Sequence, residues 1–110
     1  MYSTQTVIEL DRRGYVTKMH AVGDNAIRKR LDVIEAARKA NKNSGLRHEF
    51  AHSAFVSDQD LGCFKQLGAI AEMSSKMWFP NAATPAQIVV LGEDWPQKAH
   101  CIRDLLAAGA

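Results

Sequence analysis

The chain contains little cysteine, proline or aromatic residue and has no long hydrophobic run. Its two cysteines, Cys63 and Cys101, lie 38 positions apart and form no CxxC pair, which excludes a disulfide framework. No stretch reaches the roughly 18 consecutive apolar residues that a membrane span requires. The N-terminus lacks the charged start and apolar core of a signal peptide. These absences favour a cytoplasmic protein with no membrane partner.

The excess of one sign of charge over the other is also small, since the formal net charge is only +2. Most of the basic excess lies between Arg28 and Lys42, and no aromatic residue is interleaved with it. This pattern is typical of a solvated helix face and argues against a nucleic-acid partner. The sequence also has no GxSxG elbow and no glycine-rich phosphate loop, which argues against a serine hydrolase and a P-loop enzyme.

The sequence alternates short β-branched segments with helices that carry apolar stripes, a pattern that predicts an α/β fold with parallel strands. The predicted elements are a helix from Ser3 or Thr4 to Gly14, a strand over 15–22, a helix over 24–41 capped by Asp24 or Asn25, a strand over 46–53, a helix after a Ser57–Asp60 capping box and ending at Gly68, a strand over 69–73, and a helix over about 96–108. A loop with Trp78, Phe79, Pro80 and Pro85 follows the third of these strands, and residues 87–91 fit a strand or a helix equally well.

Two histidines lie at the predicted carboxyl ends of neighbouring strands. His20 and His52 are 32 positions apart, close to one βαβ repeat. Histidine is the commonest metal ligand, and adjacent strands lie about 4.8 Å apart, so both rings can reach one divalent ion. Two unrelated loop histidines, each with its own hydrogen bonds, remain the alternative interpretation. A zinc site also needs at least three protein ligands, so this pair alone is incomplete.

Three further polar residues lie near the pair in sequence. His48 precedes His52 by four positions, roughly 13 Å along a strand. We therefore expect His48 to lie at the floor of a barrel or in a turn. Asp24 opens a helix, where it would serve as a cap or alternatively orient His20 or contact the substrate. Lys18 lies two residues before His20 and therefore faces the same side of its strand.

Four segments of the chain resemble the amidohydrolase superfamily, specifically its family 3. MHAVGDNAIRKRLDVIEAA is similar to the HAxGDxAxxxxLdxxE motif of that family, and RHEFAHS is similar to its RHxxEH segment. SDQDLGCFKQLGAIAEMSS resembles the next helix and strand, and GEDWPQKAHCIRDLLAAGA resembles the helix before the last barrel strand. The resemblance is collinear from about residue 7 to the end, and it implies a (β/α)8 TIM-barrel architecture.

The resemblance implies a metal-dependent hydrolase whose activated water attacks the C–N bond of an amide or cyclic amide in a small-molecule substrate. Position by position, His20 and His52 match two metal ligands, and zinc is the expected metal. The HxH pair of the first strand is absent and the last-strand aspartate would fall beyond Ala110, so no catalytic group is identified. Ala51 stands where the family has Glu, and Ser74-Ser75 stand where it often has Gln-Pro.

A complete barrel needs about 250 residues, so we expect 1–110 to be one partial TIM-barrel segment of about three βα units. These would be units five to seven plus the helix before strand eight, with an incomplete ligand set and no activity in isolation. Open sheet edges would favour a homo-oligomer. The alternative is a small non-catalytic α/β domain that binds a ligand or a partner.

Overall fold

Three parallel strands form a single sheet in the order β1-β2-β3. The computed structural model describes residues 3–74, 82, 84–94, 99 and 101–110. Helices connect the strands, so the predicted α/β class with parallel strands is confirmed. The elements are α1 (Thr4–Arg12), β1 (Lys18–Val22), α2 (Asp24–Asn41), β2 (Glu49–Ala54), α3 (Leu61–Leu67), β3 (Ile70–Ala71), α4 (Thr84–Leu91) and α5 (Ile102–Ala107).

The core lies between one face of the sheet and the helices. Met19 and Phe50 point to this face from neighbouring strands, and the apolar stripe of α2 covers them. The stripe consists of Ile27, Leu31 and Ile34, whose spacing predicts one buried helix face, and all three are fully buried. The opposite face of the sheet carries Lys18 and His20, which are exposed.

Local signals explain where three helices begin or end. The Ser3 hydroxyl accepts the Thr6 N–H at 3.2 Å and caps α1, as predicted. Gly23 is the N-cap of α2 and its backbone has a φ of 98°, so the predicted cap at Asp24 or Asn25 is wrong and Asp24 is the first helical residue. Gly68 ends α3 in the left-handed conformation with a φ of 66°, also as predicted.

The predicted capping box at Ser57 and Asp60 is wrong, because Asp60 has a different partner. Its side chain makes no cap hydrogen bond to α3 and instead accepts from Arg28 Nη1 at 2.6 Å. Asp60 is buried, so this ion pair ties α2 to the start of α3. Although burial opposes the charge, hydrogen bonds to Cys63 and to the two neighbouring carboxylates raise the pKa of Arg28.

The strands are shorter than predicted, and in β1 the β-branched and aromatic residues at the predicted start lie outside the sheet. β1 begins at Lys18 rather than at Tyr15, which is 61% exposed. β2 covers Glu49–Ala54 rather than 46–53, and β3 comprises only Ile70–Ala71. Tyr15 and Val16 therefore favour a strand by residue type, but they do not pair with a neighbouring strand.

Residues 87–91 belong to α4, which settles the two interpretations in favour of a helix. Pro85 lies in the first turn of this helix rather than in the loop, a position where a missing N–H is harmless. No helix within the described ranges combines the length and apolar character that a bilayer crossing requires. The predicted last helix is interrupted, since Ala99 is helical but Cys101 is the N-cap of α5. Ser75, Trp78, Phe79, Pro80 and Pro96 lie outside the described residues.

A buried polar cluster closes the amino-terminal end of the sheet. His48 is fully buried just before β2, and its Nδ1 accepts the Thr17 N–H at 3.1 Å. The ring proton is therefore on Nε2, which donates to Asp11 Oδ1 at 2.9 Å. This arrangement confirms His48 as a structural histidine, because neither ring nitrogen is left for another ligand.

Asp11 is the acceptor on which this cluster depends. It is 2% exposed, and it receives Asn41 Nδ2 at 3.0 Å and Ser44 Oγ at 2.7 Å in addition to His48. Arg38 Nη1 lies 3.3 Å from the same carboxylate. Burial alone would raise the pKa of Asp11, but its hydrogen bonds with side chains, led by that of Asn41, outweigh burial and lower the pKa.

We expect Asp11→Asn to lower the free energy of unfolding by about 3 kcal/mol at pH 7, because the variant leaves Arg38 and His48 without the carboxylate. Since the pKa of Asp11 is lowered in the folded protein, its contribution is present above the unfolded value of about 4 and is lost as the pH falls. Urea denaturation between pH 7 and pH 3 measures the difference between the parent and the variant.

The matched control is Asp58→Asn, because Asp58 is exposed and lies outside the cluster. This control should change the stability by less than about 0.5 kcal/mol at every pH. A difference between the parent and Asp11→Asn that stayed constant down to pH 3 would contradict the assigned ionisation of Asp11.

Candidate functional site

The structure brings His20 and His52 together at the carboxyl ends of β1 and β2. Their ring centroids are 4.9 Å apart and their planes cross at 74°. His20 is exposed, whereas His52 is partly buried. Within the described residues His20 makes no side-chain hydrogen bond, so both of its ring nitrogens are open to a ligand.

A bulge in β2 allows the His20 and His52 rings to come this close. The register pairs His20 with Ala51 and Ala21 with His52, so regular alternation would turn His52 to the helix side with Ala21. The register then shifts, since Val22 pairs with Ala54. His52 and the inserted Ser53 have φ angles of 73° and 45°, and this left-handed backbone redirects the His52 ring toward His20.

Two side chains that follow β3 hold His52 in place. Ser74 Oγ lies 2.6 Å from His52 Nδ1, and Glu72 Oε2 accepts the His52 backbone N–H at 3.2 Å. Because Nδ1 is engaged by Ser74, Nε2 is the ring nitrogen left for a ligand. A metal-binding histidine commonly has such a partner on its other nitrogen.

The geometry and chemistry of the two rings fit a shared divalent ion. Imidazoles that bind one ion at about 2.1 Å place their ring centres about 5 Å apart, close to the observed 4.9 Å. Two neutral imidazoles suit zinc, although they are only part of its usual set. Within the described ranges no group of three or more His, Cys, Asp or Glu side chains is arranged to hold a metal.

A charged layer lies below the histidines on the same face of the sheet. Lys18 Nζ is 3.6 Å from Glu49 Oε2 and 3.9 Å from Glu72 Oε2, so the three residues link β1, β2 and the segment after β3. Glu72 therefore contacts both Lys18 and the backbone of His52. The sequence places Lys18 on the face of His20, but it does not reveal this partner from the segment after β3.

Asp24 lies near the pair but does not orient it. Its Oδ1 accepts the Asn25 N–H at 2.7 Å, and no hydrogen bond joins it to His20 within the described residues. The Asp24 side chain is exposed and lines two cavities at this end of the sheet. Of the three roles predicted for Asp24, contact with a substrate is thus the one that the geometry leaves open.

Comparison with known proteins identifies the family of the chain. The family model described as the Amidohydrolase family matches residues 3–110. The chain belongs to the amidohydrolase family. No curated protein matches the chain.

A solved structure has the same fold. The crystal structure of an uncharacterized metal-dependent hydrolase from Pyrococcus furiosus superposes with a TM-score of 0.69 at 20% sequence identity. The match covers 98% of this chain and 22% of that chain. This amidohydrolase chain therefore spans about a fifth of the length of the structure that it resembles.

We expect Ser74→Ala to release the His52 ring, because the variant removes the partner of Nδ1. Histidine tautomers in solution are read from long-range 15N–1H NMR spectra. The parent should show one His52 tautomer at pH 8, whereas Ser74→Ala should show a mixture of two. His48 provides the internal control, since its tautomer is fixed by Thr17 and should not change. A single unchanged His52 tautomer in Ser74→Ala would contradict the assigned role of Ser74.

Proposed function

We propose that His20 and His52 contribute two metal ligands to a metal-dependent hydrolase that cleaves the C–N bond of an amide or cyclic amide in a small-molecule substrate. The observation that carries this proposal is the 4.9 Å approach of two imidazoles at the carboxyl ends of adjacent parallel strands. Membership of the amidohydrolase family supports the reaction class. The Pyrococcus furiosus protein, itself called a metal-dependent hydrolase, supports the need for a metal.

Residues 1–110 form, in this proposal, one segment of a TIM barrel: units five to seven plus the helix before strand eight. Three parallel strands with their helices on one face match the layers of a barrel wall. The opposite face carries Lys18, His20 and Glu49, which would then point into the barrel. The coverage of 22% of the related chain supports a segment of a larger enzyme.

The proposed metal is a divalent ion, with zinc as the expected identity, held by His20 and by Nε2 of His52. When bound, such an ion polarises the scissile carbonyl and activates a water molecule. Ser74 and Glu72 keep His52 oriented, and Asp24 faces the space that a substrate would enter. The remaining ligands and the general base would come from other parts of the barrel, so we expect no hydrolysis by the isolated chain.

Zinc titration tests the two ligands directly. We expect weak, saturable binding at pH 7, because two imidazoles leave a zinc site at least one protein ligand short. His20→Ala and His52→Ala should each abolish it, as measured by isothermal calorimetry. The experiment uses a Cys63→Ser and Cys101→Ser background, because both cysteines are free and thiolates bind zinc.

His100→Ala is the matched control, since it removes one imidazole and leaves the pair intact. Binding that is insensitive to both His20→Ala and His52→Ala would refute the site. A tight one-to-one complex lost in His20→Ala would show that the chain holds a third ligand.

We also propose that the isolated chain associates through its open sheet edges. β1 pairs only with β2, which leaves its other edge without a strand within the described residues. Light scattering over a range of concentrations should show a mass that rises above 12.2 kDa. A single species of that mass at every concentration would favour the small self-sufficient domain instead. The unpaired cysteines make the reducing cytoplasm the proposed location.

A further inference from the structure

The histidine pair can be reached from outside the chain. His20 is exposed at the carboxyl end of β1 and makes no side-chain hydrogen bond within the described residues. His52 is partly buried, but its Nε2 is not one of the buried unpaired atoms of the described residues, so this nitrogen is accessible to solvent. An ion held between these two rings, 4.9 Å apart, would therefore keep coordination positions that face solvent.

The described part of the chain does not fill those positions. Zinc takes four ligands in a tetrahedron, and the pair supplies two. Within the described ranges no third His, Cys, Asp or Glu side chain forms a metal-binding group with the two histidines. The carboxylate of Glu72 is engaged elsewhere, since it accepts the His52 backbone N–H and lies 3.9 Å from Lys18 Nζ. An ion on this chain would thus have two positions left for ligands from outside the chain.

We propose that a second copy of the chain supplies these two ligands, so that one zinc ion bridges two copies through His20 and His52 of each. Four neutral imidazoles complete a tetrahedral set. A two-fold axis through the ion makes the two copies equivalent, which is the commonest symmetry of protein dimers. The inference rests on the proposed metal site and names the partner that completes it in the 110-residue chain; in the proposed barrel, other strands would take this place.

The charges beside the pair make this association depend on the ion. Lys18, Glu49 and Glu72 lie together on the face of the sheet that carries His20, with one positive and two negative charges. Each copy therefore presents an excess of one negative charge, and two such faces repel each other. The two positive charges of zinc balance the two copies. Association through this face is thus expected only with metal, which distinguishes it from pairing at the open edge of β1.

Metal titrations of the 110-residue chain, in the Cys63→Ser and Cys101→Ser background, test the bridge. By light scattering, zinc should double the mass of the chain relative to its mass in EDTA, and the change should be complete at one zinc per two chains. Since two chains share one ion, a tenfold higher chain concentration should lower the half-saturating free zinc concentration about tenfold. Cobalt(II) should show the strong visible absorption of a tetrahedral ion rather than the weak absorption of a six-coordinate one.

His20→Ala should abolish both the zinc-dependent doubling and the tetrahedral cobalt spectrum. His20 is exposed, so the variant should fold, and amide signal dispersion checks this. The matched control is His100→Ala, which removes one imidazole but neither of the pair and should leave both signals unchanged. A doubling of mass that persists in His20→Ala would overturn the bridge.

A failed bridge and a failed metal site give different results. Zinc binding at one ion per chain that requires both histidines, with no change in mass and no dependence on chain concentration, would refute the bridge and leave the proposed metal site intact. Zinc binding that neither His20→Ala nor His52→Ala reduces would refute both. An increase in mass that persists in EDTA belongs to the sheet edges, and a bridge requires a further doubling when zinc is added.

Discussion

The candidate site depends on the left-handed backbone at His52 and Ser53. Each non-glycine residue in this conformation costs about 1 kcal/mol, and Phe55 adds a third with a φ of 65°. Neighbouring hydrogen bonds hold the bulge: Ser53 Oγ donates to the Phe50 carbonyl at 2.8 Å, and the Gly23 N–H donates to the Ala54 carbonyl at 3.0 Å. Without the bulge, His52 would point into the helix layer, away from His20. Strain is therefore concentrated where the two rings meet, as is common at functional sites.

The two ends of the sheet carry histidines of different kinds, which their hydrogen bonds distinguish. At the amino end His48 accepts from Thr17 and donates to Asp11, so both ring nitrogens are used inside the core. At the carboxyl end, Nδ1 is the one ring nitrogen of His52 that a described residue engages, through Ser74. His52 lies only four positions after His48, yet His48 is a structural histidine, whereas Nε2 of His52 has no partner among the described residues. This difference depends on partners from α1 and from the segment after β3, which are distant in sequence.

Local patterns in the sequence predicted most of the fold, because helix signals are local. The spacing of Ile27, Leu31 and Ile34 identified α2, and Ser3 and Gly68 marked helix ends. Strand starts were predicted less well, because a strand exists only where a neighbour pairs with it, and Tyr15 has none. The predicted strands and the spacing of 32 positions placed His20 and His52 at strand ends, but the bulge that joins them has no glycine to reveal it. The contact between the Ser74 hydroxyl and His52 could not be predicted either, since the family pattern has Gln-Pro at that point.

Glu72 connects the charged layer to the histidine pair. Its carboxylate lies 3.9 Å from Lys18 and accepts the His52 N–H, so it links β1 and the bulge of β2 to the end of β3. The Lys18 side chain is 54% exposed here, and an ion pair so open to water contributes little to stability. In the proposed barrel this face is enclosed, and the lower effective dielectric strengthens each interaction. The position of His52 would then be set more rigidly by barrel closure, which would couple formation of the proposed metal site to completion of the fold.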